Sequence, residues 1–173
     1  MHCYIKRVAC HTAGMNNQGM SIRTATEDDK PAVLLLAPRL AEGVAAWRDS
    51  EAAAAAARQW LADSFATAAR GEGTVLVAVD EAGIAGVIAV SMSRHFTGEA
   101  DGYIGELAVA SRAVRRGIGR ALIEAAHTWA ADRGLQNLTL HTGIANTTAR
   151  DFYAALGFQE EEVRLTRALP VRG

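Results

Sequence analysis

A chain of 173 residues, half of them hydrophobic and 21% charged, has the makeup of one soluble domain long enough to bury a core without covalent staples. Its formal net charge of -1 gives no basic footprint for nucleic acid or an anionic membrane, and no apolar run reaches the roughly 18 residues of a membrane helix. The two cysteines, Cys3 and Cys10, make neither a disulfide framework nor a thiol metal site, so a reducing cytoplasm is the expected compartment.

The opening MHCYIKRVACHTAGMNNQG is polar and irregular, without the roughly 7–15-residue apolar stretch of a secretory signal. Residues 1–19 are expected to be an N-terminal extension and residues 20–170 a single domain. SIRTAT alternates as a strand, and Glu27, Asp28 and Asp29 suit a helix N-terminus. A helix over 28–40 would turn Val33, Leu34 and Leu36 inward before EGVAAWRDS interrupts it. Asp49 or Ser50 then caps a second helix, whose alanine run at 52–57 reflects helix propensity. Trp60, Leu61 and Phe65 are expected on its buried face.

TVLVAVD and IAGVIAVSM read as two strands joined through Glu81, Ala82 and Gly83. After the polar loop HFTGEADG, YIGELAV is a third strand of the series. RRGIGRALIEAAHTW is an amphipathic helix, with Ile118, Ala121, Leu122, Ala125 and Trp129 at helical spacing and Gly134 as its C-cap. LTLHT is a strand, NTTARDFYAALGF a helix closed by Gly157, and EEEVRLTRAL an edge-like strand. The order β-α-α-β-β-β-α-β-α-β predicts a mixed α+β layer arrangement with no internal repeat.

Two glycines beside three arginines at a helix start ask for a physical reason, since glycine costs roughly 1 kcal/mol against alanine in a helix interior. The first amides of a helix have no intrahelical partner and the helix dipole adds positive character. Gly117 and Gly119 would let an anion approach the main chain, with Arg115, Arg116 and Arg120 around it. A solvated basic helix start is the alternative on these residues alone. The spacing is neither a dinucleotide fingerprint nor a Walker loop.

The succession YIGELAV, RRGIGRAL, LTLHT and ANTTARDFYAALGF resembles the core of the GNAT superfamily of N-acetyltransferases, in element order over 21–169 and most specifically over 103–158. The resemblance implies a mixed, mostly antiparallel central sheet flanked by helices, and acetyl-CoA as co-substrate. The family's pyrophosphate motif falls on Val114, Arg115, Arg116, Gly117, Ile118 and Gly119. Val114 stands where the family usually has Gln or Arg, and Arg115 where a Gly is common. Leu107, Ala108 and Val109 match the strand whose main chain pairs with the pantetheine arm. Asn146 matches a cofactor-contacting Asn, although Asn is also a good N-cap. Tyr153 matches the tyrosine placed near the thioester sulfur.

The implied reaction is direct attack of a primary amine on the thioester in a ternary complex. An amine with a pKa near about 10.4 must first lose a proton. Glu106 is the leading candidate base, on a strand whose alternation puts Glu106 and Ala108 on one face and Leu107 and Val109 on the other. His141 is the second candidate. His95 and His127 have no evident partner, and no histidine spacing suggests a metal. The Val109 amide would polarise the carbonyl and Tyr153 would protonate the departing thiolate. No cysteine lies in the catalytic segments to support a thiol acyl-enzyme. The acceptor pocket is expected over 38–49, with Arg39, Trp47 and Arg48, and over the loop SRHFTGEAD. A small-molecule or peptide amine is the expected partner, with no nucleic acid or membrane, and a homodimer through the last strand is plausible. A GNAT fold that binds acyl-CoA without turnover is the alternative reading.

Overall fold

Apolar residues at every second position pair into one five-stranded sheet, β1 (Ser21–Thr24), β2 (Gly73–Asp80), β3 (Gly83–Arg94), β4 (Ala100–Val109) and β5 (Leu138–Leu140), in spatial order β1-β2-β3-β4-β5. A computed structural model describes residues 19–169, so the extension expected at 1–19 lies almost wholly outside the described residues. Strands β1 to β4 are antiparallel neighbours, and β5 joins β4 in parallel. The turn between β2 and β3 closes on the pair Asp80 and Gly83, where Gly83 takes a φ of 99° that suits glycine.

Among the described residues, five helices flank the sheet: α1 (Lys30–Leu34), α2 (Ala37–Leu40), α3 (Ser50–Ala69), α4 (Ile118–Ala131) and α5 (Thr147–Ala154). The two faces of the sheet form two cores. One packs Ile88, Val90 and Ile104 against Ile118, Leu122 and Ala126 of α4. The other packs Val75, Val77, Val87 and Ala108 against Leu61 and Phe65 of α3 and Val33 of α1. Removing a fully buried side chain such as Leu61 or Leu122 would cost about 2–5 kcal/mol, cavity included. Gly86 sets the depth of α4, because a Cβ there would meet Ile118 and Leu122 at 3.0 Å.

Four expectations are revised. The helix over 28–40 is a short 3-10 turn (Glu27–Asp29) followed by α1 and α2, because Pro38 has no N–H to give the carbonyl of Leu34 and restarts the helix at its own first turn. Asp49 caps α3, its carboxylate accepting from Glu51 and Ala52, but Trp60 is 53% exposed rather than core. The LTLHT strand stops at Leu140, before His141. EEEVRLTRAL forms no strand: residues 159–169 are exposed, with Val163 and Leu165 at 78% and 89%. Alternation records a capacity to pair, and an alternating segment gains nothing from it unless one face is buried.

Candidate active site

The site begins where β4 and β5 part. They pair only at Gly102, Tyr103 and Ile104, opposite Leu138, Thr139 and Leu140. Beyond Ile104, β4 keeps β3 on one side and faces a gap on the other. The Ala110 amide donates to the Ala85 carbonyl at 2.9 Å. In an antiparallel ladder that fixes the alternation: the main chain of Ala108 also points to β3, and the N–H and C=O groups of Leu107 and Val109 point into the gap. Arg39 Nε already donates to the Val109 carbonyl at 3.1 Å. The amides of both residues and the Leu107 carbonyl are left for another chain-like partner.

The strand leads through a 3-10 turn (Ser111–Ala113) to α4, whose N-cap is Gly117 at a φ of 76°. No side chain caps this end, and a Cβ built on Gly117 meets no atom within 4 Å. The first-turn amides therefore face open space, the geometry of an anion site. Gly119 has a different reason to be glycine. A Cβ there would sit 3.1 Å from the ring of Phe152, so its missing side chain admits α5. The Ile118 side chain is core, leaving its amide alone to contribute.

The arginines divide. Arg112 and Arg116 both grip Asp80, at 2.8 and 2.9 Å, and Arg112 also donates to the Ile84 carbonyl at 3.1 Å. The Arg112 hydrogen bond, helped by Arg116 and the Ala82 amide against the cost of burial, lowers the Asp80 pKa to about 2. Arg116, expected at the phosphate, thus ties the loop to the β2–β3 turn. All four arginines are exposed, but Arg115 and Arg120 make no ion pair with any described residue. Arg115 has a φ of 63°, the one left-handed residue other than glycine among the described residues. The family's preference for Gly at this position follows from that geometry.

Asn146 caps α5, its Oδ1 accepting from Ala149 at 3.1 Å, while its Nδ2 donates to the Glu42 carbonyl at 3.3 Å. Gly43 packs so closely on Asn146 that a Cβ there would fall 2.4 Å from the Asn146 Cβ. Residues 40–45 therefore lie against residues 143–145, with a small hollow between them. This contact consumes part of the segment expected to form the acceptor pocket. Trp47 is 71% exposed.

Burial shifts the protonation of both Glu106 and Tyr153. Glu106 is 7% exposed and its Oε2 accepts from Ser64 Oγ at 2.8 Å. Burial raises its pKa above the usual carboxylate range; the Ser64 hydrogen bond opposes this and the Asp63 charge adds to it. Half-buried Tyr153 sits among Phe152 and Phe158, with ring centroids at 5.3 and 5.6 Å, and burial raises its pKa, keeping the phenol protonated. His141 Nδ1 bonds the Tyr103 hydroxyl at 3.1 Å, whereas His95, expected to lack a partner, lies tilted against Phe96 with its Nδ1 2.7 Å from Thr97 Oγ1, and His127 is exposed on α4.

A β-bulge organises the floor of a cleft beside Glu106. Ala89 pairs with Glu106 and Val90 with Ile104, so Gly105 is the extra residue. Strict alternation would oppose Tyr103 and Glu106; the bulge puts both on the cleft. Trp60, Asp63, Ser64 and Thr67 of α3 complete it. None of the four was read from the sequence as a site residue, Trp60 being expected in the core; their i, i+3, i+4, i+7 spacing sets them on one helix face without saying what that face lies against. No cluster of metal-ligating side chains and no helix able to cross a membrane occurs among the described residues.

The sheet splays beside an uncapped helix start, with a buried carboxylate on the splayed strand, and comparison with known proteins gives the family of this arrangement. Residues 39–158 match the acetyltransferase (GNAT) family, and the chain belongs to that family. It is 48% identical over 48 residues to an uncharacterized N-acetyltransferase of Methanocaldococcus jannaschii, a match that spans 28% of this chain and 21% of that protein. Among solved structures, the fold is similar to that of an acetyl transferase of Pyrococcus furiosus, with a TM-score of 0.71 and 21% identity over 87% of this chain and 99% of the other. An aminoglycoside 6'-N-acetyltransferase of Acinetobacter haemolyticus is likewise similar, with a TM-score of 0.67 and 20% identity over 88% of this chain and 99% of that one.

Proposed function

We propose that the protein moves an acetyl group from acetyl-CoA to a primary amine by direct attack in a ternary complex. The observation that carries this reading is the outward-facing main chain of Leu107 and Val109 in the gap, running within ten residues into the uncapped α4 start at Gly117. A pantetheine arm can pair with the strand while its pyrophosphate takes the amides of Gly117, Ile118 and Gly119, with Arg115 and Arg120 as the nearby cations.

Each remaining residue then has a task. The amine gives a proton to Glu106, whose raised pKa brings it nearer to the working pH than an ordinary carboxylate. The nitrogen lone pair attacks the thioester carbon, and the Val109 amide supports the charge that develops on oxygen. The C–S bond breaks, Tyr153 gives its proton to the thiolate, and the second proton lost from the nitrogen restores the phenol, leaving amide and free CoA thiol, while Glu106 returns its proton to solvent. The thioester is already activated, so positioning supplies much of the rate.

Calorimetric titration with acetyl-CoA, followed by thiol release across a panel of amines, tests this. Micromolar binding with amine-dependent release is expected. Binding without release to any amine would favour a regulatory acyl-CoA module, and absence of binding would refute both readings.

A further inference from the structure

The reaction above leaves its acceptor unnamed, and the cleft between α3 and β4 carries the relevant chemistry. Trp60, Asp63, Ser64 and Thr67 stand on one face of α3, next to the stripe of Ala57, Leu61 and Phe65 that packs on the sheet. The second stripe has no packing purpose: Trp60 is more than half exposed and Asp63 is exposed. Across from it stand Glu106 and Tyr103. Glu106 is more than nine-tenths buried, Ser64 satisfies its Oε2, and its Oε1 takes no hydrogen bond from any described residue. Among the described residues, no lysine or arginine lines the cleft.

The free Oε1 of Glu106 is accessible from the cleft and can take a donor from a ligand, and a second carboxylate on the same cleft makes one positive charge an incomplete answer. Asp63 Oδ1 accepts from Gln59 at 2.8 Å, which leaves Oδ2 for a ligand. The exposed face of Trp60, three residues before Asp63, suits an alkyl ammonium. We infer that the acceptor carries a second, non-reacting ammonium group: Glu106 meets the amine that is acetylated, and Asp63 with Trp60 holds the other. This inference rests on the acetyl-transfer reading above, whose proton balance it keeps, since the second ammonium retains its proton throughout.

The test compares thiol release from acetyl-CoA with 1,4-diaminobutane and with butylamine, which differ by that one charged group. The wild-type protein should prefer the diamine in kcat/KM by about tenfold or more, about the value of one well-placed ionic contact. Asp63→Asn should collapse that ratio toward one, and raised salt should shrink it in the wild type. Acetyl-CoA affinity measured on the same samples reports that the variant is folded. Equal use of the two amines, or a ratio untouched by Asp63→Asn, would overturn the inference and leave acetyl transfer standing. Release with neither amine nor any other, despite acetyl-CoA binding, would overturn acetyl transfer and this inference with it.

Discussion

Arg115 holds a conformation that suits it badly. A left-handed residue with a Cβ costs about 1–2 kcal/mol, and its φ of 63° is where glycine would sit without strain. Arg115→Gly should therefore raise stability by about 0.5–1 kcal/mol, once the greater chain entropy of glycine is subtracted, read as a higher Tm. If the exposed guanidinium serves a phosphate, the same variant should bind acetyl-CoA several-fold less tightly, the deficit fading with salt. Loss of stability and affinity together would mean that the side chain serves the fold. Gly117 allows a sharper comparison. At its φ of 76°, Ala and Glu suffer the same backbone strain, and neither Cβ meets an atom within 4 Å. Gly117→Glu should nevertheless weaken acetyl-CoA binding by more than about tenfold relative to Gly117→Ala, because only Glu adds a like charge. Equal affinities in calorimetry would remove the phosphate from this helix end. Both glycines were visible in the sequence, but one pattern hid two causes. Gly117 faces open space and Gly119 faces Phe152, which spacing alone does not distinguish.

At the scale of elements, the loop before α4 is held by a clamp. Asp80, the last residue of β2, takes Arg112 and Arg116 from the segment that leads into α4. Asp80→Asn keeps the shape and halves the reason for either arginine to stay. The start of α4 should loosen, giving faster amide hydrogen exchange over 112–119 and several-fold weaker acetyl-CoA binding. Unchanged exchange would show that the packing of Ile118 and Leu122 alone fixes the loop. The elements themselves were legible wherever a periodic face was buried. Helix α4 and strands β2 to β4 follow from their patterns because those patterns meet a partner in the core. The failures are places where the deciding partner is remote or missing. Pro38 splits a helix that its apolar residues would continue, and EEEVRLTRAL alternates beside nothing. The bulge at Gly105 is the instructive case, since one extra residue brings Tyr103 and Glu106 together and no local pattern announces it. The cleft with Asp63 was illegible for that reason: half of it depends on the bulge and half on how α3 lies over the sheet.

For the whole molecule, stability should answer to pH in two opposite directions. Asp29 is held well below the usual carboxylate range, chiefly by Arg23, and Asp80 is lowered to about 2, chiefly by Arg112. A depressed carboxylate stabilises the fold above its unfolded pKa of about 3.9, and that contribution disappears as pH falls through the folded value. Acid should therefore unfold the protein progressively below about pH 4. Glu106 works the other way, because burial raises its pKa. Below its unfolded value, both states are protonated and it contributes nothing. As pH rises through the folded value, ionisation costs more inside the protein than outside, so stability is lost. Above the folded value the fold carries a charge that it would be better without, which is reasonable only if the charge is used. Glu106→Gln can still accept from Ser64 and fills nearly the same space. Its Tm should exceed that of the wild type at about pH 8, and the two should converge near pH 4. Amine-dependent thiol release should fall most where the wild-type carboxylate is ionised and able to take the proton, and the deficit should shrink as acid protonates Glu106. A Tm below wild type across the whole range would make Glu106 a structural partner of Ser64 and leave the base to His141 or water. A gain in stability coupled to a loss of turnover would identify it as a group that the fold tolerates for the sake of the reaction.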